Sequence, residues 1–444
     1  MKNPFSKKDN KDEKDSQGES SAINRFAEKL AGFFSADPQK EKILRHEDFA
    51  GAGDTFYATV SARYKVAQRV IVLLLLVFLL FSIFANIKEI TYGNLFYFVR
   101  DFGNAVDIES TNYETLSYDV YPNQKFSLYR GGISAVSPSN ISVYTATGRR
   151  TLKSRADFVQ PYAVCSDKYV LVYDMSGTSF SLYNSFSKVY TENFEYPITD
   201  ADISNSGVFA VVTRSSDYKS VINVYNSNIK LIGKYSKNLY TTDIAINIDG
   251  NKMAALFYDV GDGRGRTTVR VYDISNRTSG DKDPDEDRIL FESTMHGEFP
   301  LSCSFTDDGK LSVVTDGSTN IFDTDYEIYD SYEYRGDISA FCADKNGTAV
   351  AVKTGALNDV NRIIVFDKTG KMLYNEIIRE SVNEMKFLDG YVFIKSDMGA
   401  ARLSTANGDI EKYSCQSGSL LVYDTSTAIV CGESKAVYIK FKNE

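Results

Sequence analysis

One hairpin turn recurs along most of the chain, at Gly131-Gly132, Asp167-Lys168, Asn205-Ser206-Gly207, Asp249-Gly250, Asp308-Gly309, Asn346-Gly347, Asp389-Gly390 and near Asp424-Thr425. The steps are about 40 residues, apart from a longer one between positions 250 and 309. A second signal runs out of phase with the first. An aliphatic residue followed by an aromatic stands at Val143-Tyr144, Leu182-Tyr183, Val224-Tyr225, Val271-Tyr272, Ile321-Phe322, Val365-Phe366 and Val437-Tyr438, and Leu403-Ser404 fills the remaining slot without its aromatic. Between these marks, short runs of Val, Ile, Tyr, Phe and Thr alternate with clusters of Gly, Asn, Asp and Ser, the chemistry of strands and turns. A unit of this period built from four short strands is a propeller blade, which hides its apolar faces only by stacking against its neighbours. The first strand is expected to run into the turn, as at 198–204, and the second out of it, as at 208–213. The third carries the aliphatic-aromatic pair, and the fourth follows a polar turn such as Thr369-Gly370-Lys371.

The last unit stops just after its third strand, at 436–441, while an unassigned strand at 113–118 stands directly before the first unit. Placing that strand in the last blade completes the unit and removes an open sheet edge. The expected fold is therefore all-β, an eight-bladed β-propeller over 113–444, with seven blades as the alternative if Gly131-Gly132 is an irregular lead-in. A two-sheet sandwich or a solenoid leaves the truncated last unit unexplained.

Ahead of the repeats, residues 70–87 read VIVLLLLVFLLFSIFANI, eighteen residues without a charge. A helix of that length covers roughly 27 Å, close to the hydrocarbon thickness of a bilayer, so a transmembrane span is expected here within a helix over 58–87. Arg63, Lys65 and Arg69 precede it and Lys88 and Arg100 follow, a bias that places the N-terminus in the cytosol. With no small-residue cleavage site after the apolar run, the segment reads as an uncleaved, single-pass anchor. Residues 1–20 are charged and aperiodic and are expected to be a disordered cytoplasmic tail. Ile23, Phe26, Leu30, Phe33 and Phe34 recur at helical spacing, giving an amphipathic helix and a linker over 21–57, for which membrane and protein docking stay open. Residues 88–112 form a juxtamembrane linker outside, with aromatics suited to the headgroup layer.

Charge is divided along the chain. Up to Arg69 there are 13 basic and 11 acidic residues, leaving 37 and 48 of the totals of 50 and 59 beyond it. The large domain is thus acidic and repels phosphate backbones, which argues against a nucleic-acid partner. The five cysteines are widely spaced, without a CxxC, and sit in apolar runs; only a Cys415 to Cys431 bridge is worth checking.

The N-terminal tail, the single span, the stretch NLFYFVRDF and the Tyr-rich repeats together resemble an uncharacterised family of membrane-anchored proteins from Gram-positive bacteria. The resemblance implies a plasma-membrane location and no particular activity. The WD propellers need a Trp-Asp dipeptide, and quinone-cofactor propellers a Trp in each blade; this chain contains no Trp.

Chemistry is sparse. Of two histidines, His46 falls on the cytosolic side and His296 has no Cys or acidic companion at ligand spacing, so no catalytic set, metal site or cofactor site is assigned. The string Asp259-Val-Gly-Asp262-Gly-Arg264-Gly-Arg266 resembles a phosphate loop, but strands flank it on both sides and it reads as a long hairpin turn. With the loops at 215–219 and 355–361 it falls on one face of the propeller, giving Asp259, Asp262, Arg264, Arg266, Lys219 and Asn361 as ligand-contact candidates. The acidic stretch 281–287 lies at a third-to-fourth strand turn on the opposite face; Pro284 and the lack of a turning Gly argue against a calcium loop. The function expected is a binding or scaffolding module for an envelope protein, glycan or wall component, rather than an enzyme. The alternatives are a glycan-directed hydrolase or lyase using carboxylates and tyrosines at the axis, and a sensor signalling to the cytoplasmic segment.

Overall fold

The computed structural model describes residues 54–85, 115–261, 263–275, 288–355 and 360–442. Within them the repeats fold into eight four-stranded sheets. Blades 1 to 7 each use four consecutive strands, over 125–155, 161–193, 198–237, 240–296, 300–333, 338–378 and 384–413. Blade 8 takes three strands from 419–440 and its fourth, Thr115–Ser117, from the other end of the chain. That strand pairs antiparallel with Lys435–Lys440, Leu116 opposite Ala436, so the ring closes as the sequence predicts. The eight first strands touch one another in sequence around the ring and so surround its axis.

Every expected turn joins a first strand to a second. At Gly250 the turn demands glycine twice over. Its φ of +70° is one that side-chain-bearing residues avoid, and a Cβ there would come within 2.4 Å of the Ser206 Oγ of the preceding blade.

The core is not central but divided among the seams. The described buried apolar residues form eight clusters, one between each pair of neighbouring blades. This explains the aliphatic-aromatic pair. Adjacent residues of a strand point to opposite faces. In blades 1 to 6 the aliphatic member packs toward the next blade and the aromatic toward the previous one, as Val224 joins the seam with blade 4 and Tyr225 the seam with blade 2. In blade 7 the register is offset by one: Leu403 takes the aromatic's place toward blade 6, and Arg402 replaces the aliphatic, its guanidinium 4.6 Å from the Tyr391 ring centre. The slot expected at Leu403-Ser404 is thus Arg402-Leu403. In blade 8 the order is reversed, with Tyr438 facing blade 1.

Among the described residues the N-terminal unit contributes one helix, α1, Asp54–Ala85. Its Val70 to Val77, Leu80 and Phe81 are all exposed, an apolar band without a polar face. Among the described residues no helix is long and apolar enough to cross a membrane. The expected span at 70–87 is therefore not borne out by the described residues. The tail expected at 1–20, the helix and linker expected at 21–57 up to residue 53, and the juxtamembrane linker expected at 88–112 lie outside the described residues, while 54–57, expected as linker, form the first turn of α1. All five cysteines are free, so Cys415 and Cys431 are not bridged.

Candidate functional site

The glycine-rich string is a hairpin turn, as its sequence implies. It joins Lys252–Gly261 to Arg264–Asp273, strands of ten residues where the second and third strands of the other blades have five to seven. The Asp259 carboxylate binds Lys219 Nζ of the neighbouring blade at 3.2 Å and Arg266 Nη2 at 3.1 Å. The bonds to Lys219 and then Arg266 hold its carboxyl below the ordinary range. Arg264 is exposed at the hairpin tip, and Asp262 lies outside the described residues. Asn361 is elsewhere. It is fully buried in blade 6, where its side chain donates to Glu380 O at 2.7 Å and accepts from Ser339 Oγ at 2.7 Å, which makes it a brace within the fold. The structure thus joins Lys219, Asp259 and Arg266 and separates Asn361 from them. The acidic stretch does connect a third strand to a fourth, but 276–287 lie outside the described residues. His296 ends its strand exposed to solvent.

A more concentrated site lies on the axis. A cavity of about 410 Å³ opens between the first strands of blades 2 to 6 and reaches the face carrying the first turns, where Asn205, Asp307 and Lys345 border it. Asp200 and Asp202 on Ile198–Ile203 and Asp243 on Tyr240–Ile246 project into the seams beside it. Each grips the next blade. Asp200 Oδ2 accepts from Ile244 N at 2.9 Å, Asp202 Oδ2 from Ile246 N at 2.7 Å and Asp243 Oδ2 from Cys303 N at 2.7 Å. Glu384 does the same in blade 7, accepting from Leu420 N at 2.8 Å. An innermost strand has no sheet partner on its axial side, so its N–H groups need acceptors, and a carboxylate from the preceding blade supplies them.

A repeated irregularity sets this aim. In blades 3 to 6 the pairing of the first strand skips one residue, at Thr199, Thr242, Leu301 and Ser339. Such bulges re-aim the side chains that follow them.

The channel reaches the three carboxylates, but they lie deep inside the ring, and burial dominates their ionisation. Burial, then the charges of Asp243 and Asp202, lifts Asp200 well above the carboxylate range. Asp202 is pushed up to about 6 by burial. Asp243 rises for the same reason. Burial and then Asp243 raise the Cys303 thiol, so it is not poised as a nucleophile. No group of His, Cys, Asp and Glu among the described residues has the arrangement to hold a metal ion.

A family model matches residues 108–440, the propeller and the few residues before it. The chain belongs to DUF5711, a family of unknown function. Among curated proteins no sequence matches this DUF5711 chain. Among solved structures, BamB from Moraxella catarrhalis is 13% identical and superposes with a TM-score of 0.50 over 74% of this chain and 99% of its own. Kuenenia stuttgartiensis hydrazine synthase gives 12% identity and a TM-score of 0.44 over 68% of this chain and 100% of its own. The Neurospora crassa Pan2 WD40 domain gives 9% and 0.39, over 64% and 90%. At these identities the likeness to BamB concerns the fold alone.

The axial acids are not among the sequence-based candidates, although a signal for them exists. Aligned by repeat, TDADI, TDIAI and LSCSF at 199–203, 242–246 and 301–305 put a polar residue at the same place in successive first strands.

Proposed function

We propose that this DUF5711 chain is a binding module whose rigid ring presents its axial cavity and loop faces to a protein partner at the cell envelope. The observation that carries the reading is the axial channel. Its acids are occupied in locking blade to blade, which supplies a stiff frame, while the cavity between them is bordered by loops that differ from blade to blade. Rigid frames with variable loops suit recognition.

The location proposed is a plasma membrane, with the N-terminus in the cytosol and the propeller outside. An apolar helix surface without a polar face needs lipid or protein around it. By sequence the run continues through Ser82-Ile83-Phe84-Ala85-Asn86-Ile87, enough for a span. Protease added to intact cells then degrades the propeller; a propeller that survives while lysed cells lose it removes the external placement.

The test of binding is site-specific photo-crosslinking from Arg264, at the exposed hairpin tip, in living cells. One reproducible envelope partner is expected, and recovery of none sinks the reading. A second reading, hydrolysis or cleavage of glycans, draws support from three carboxylates with raised pKa values at the axis. It predicts a glycan-cleaving activity lost in Asp200→Asn and Asp243→Asn.

A further inference from the structure

Between blades 1 and 2 the seam opens, along their third and fourth strands, into a cavity of about 750 Å³. That is within the range of ligand clefts, roughly 300–1,000 Å³. A small residue makes the space. Ser181 lies two places before the aromatic of its third strand and lines the cavity, where blades 3 to 6 carry Asn223, Arg270, Asn320 or Ile364 at the same place.

Strand alternation makes that wall polar. Phe180 and Leu182 turn toward blade 3, which leaves Ser179, Ser181 and Tyr183 on the side of blade 1. Their register partners on the fourth strand are Asn193, Thr191 and Lys188, and a pairing that skips Val189 re-aims Lys188 into the same cavity. Three polar rungs result, spaced by two strand residues, roughly 6.6 Å. The opposite side comes from blade 1. Arg155 ends its fourth strand there, and the loop after it is tied to the loop before Asn140 by Ala156 N to Ser139 O and Phe158 N to Pro138 O, both 3.0 Å.

The fold leaves this lining with capacity to spare. Ser181 Oγ and Thr191 Oγ1 share one hydrogen at 2.9 Å, so one of their two O–H donors is unused. The Ser179 hydroxyl and the Asn193 amide, side by side on one rung, bond to no described residue. Among the described residues neither Arg155 nor Lys188 forms an ion pair, and Asp157 is the one acid in the lining. Both cations stay unspent in a part of the chain where acidic residues outnumber basic ones 48 to 37.

We infer that this groove binds an acidic oligosaccharide, its acid groups on Arg155 and Lys188 and its ring hydroxyls on Ser179, Asn193 and the Ser181–Thr191 pair. The two cations set the requirement for anions. Hydroxyl and amide groups that donate and accept at close quarters match the neighbouring hydroxyls of a sugar, which do the same. An acidic peptide offers the charge without those hydroxyls. The groove shares no lining residue with the axial cavity and is built by other blades than the hairpin of Arg264, so the inference is independent of the protein partner.

The experiment is calorimetric titration of the full chain in detergent at neutral pH with trigalacturonate, a sulfated heparin tetrasaccharide, neutral maltotriose and triglutamate. Saturable binding of at least one acidic sugar is expected, with none of maltotriose and at least about tenfold weaker binding of triglutamate. The tighter of the two acidic sugars identifies the acid group as carboxylate or sulfate. Arg155→Ala and Lys188→Ala are each expected to weaken binding at least about tenfold while leaving the unfolding midpoint unchanged, since both side chains are exposed and pair with nothing in the fold. Asn193→Ala removes no charge and is expected to weaken binding about threefold or more, an effect that general attraction of a polyanion to cations does not produce. Absence of saturable binding of either acidic sugar, triglutamate binding as tightly as the sugars, or unchanged binding in the three variants overturns the inference, whatever crosslinking from Arg264 recovers.

Discussion

Asp202 serves two roles at once, accepting Ile246 N across a seam and lying where ionisation is disfavoured. Its folded pKa of about 6 lies above the unfolded value of 3.8, so its contribution to stability is full below about pH 4 and is lost as pH rises through about 6. Asp200 and Asp243 act in the same direction. The expected outcome is a propeller less stable at pH 8 than at pH 5, with Asp202 accounting for on the order of 1 kcal/mol. Asp202→Asn flattens that dependence and exceeds the parent in stability at pH 8, as read from urea midpoints across the pH range. If the two proteins show parallel profiles, Asp202 is not buried as described. Gly250 makes a second residue-scale prediction: Gly250→Ala costs roughly 1–3 kcal/mol, because the turn forces a positive φ and Ser206 Oγ stands in the way.

An element in this fold is a strand that serves two seams, one with each face. Phe366 is fully buried and points from blade 6 toward blade 5, while Val365 points toward blade 7. Phe366→Ala is expected to destabilise the propeller by about 3–5 kcal/mol, measured by chemical denaturation. The extended hairpin of blade 4 behaves differently. Asp259 binds Lys219 and Arg266 at the surface, where such pairs are worth little. Asp259→Ala is thus expected to leave the unfolding midpoint nearly unchanged while altering crosslinking from Arg264. The strand pattern is readable from the sequence because adjacent residues of a strand face opposite ways, so a need that recurs at two seams prints a two-residue mark. The offset at Arg402-Leu403 was not, because only pairing register shows which of two neighbours faces which blade.

The whole molecule depends on a seam joining its two ends. Ser117 and Lys435 are register partners and both exposed, so Ser117→Cys with Lys435→Cys places two thiols across it. The resulting disulfide closes a loop holding nearly the entire propeller, for which stabilisation of about 2–4 kcal/mol is expected, abolished by reduction. Thiols that never join in the folded protein contradict the closure. Repeat spacing, turn residues and the truncated last unit determined the eight-bladed ring and its closure from sequence alone, since each is a local signal repeated often enough to count. What only the tertiary structure decided was the site. Asp200, Asp202 and Asp243 come from two blades, far apart along the chain, and no local pattern reports that bulged first strands bring them beside one axial cavity or that each acid's neighbour is the next blade's backbone. Asn361 shows the converse. It reads as a polar loop residue, and burial against Ser339 and Glu380 turns it into part of the frame. Residue type fixes what a side chain is able to do, and the packing around it determines whether it meets solvent, a ligand or its own main chain.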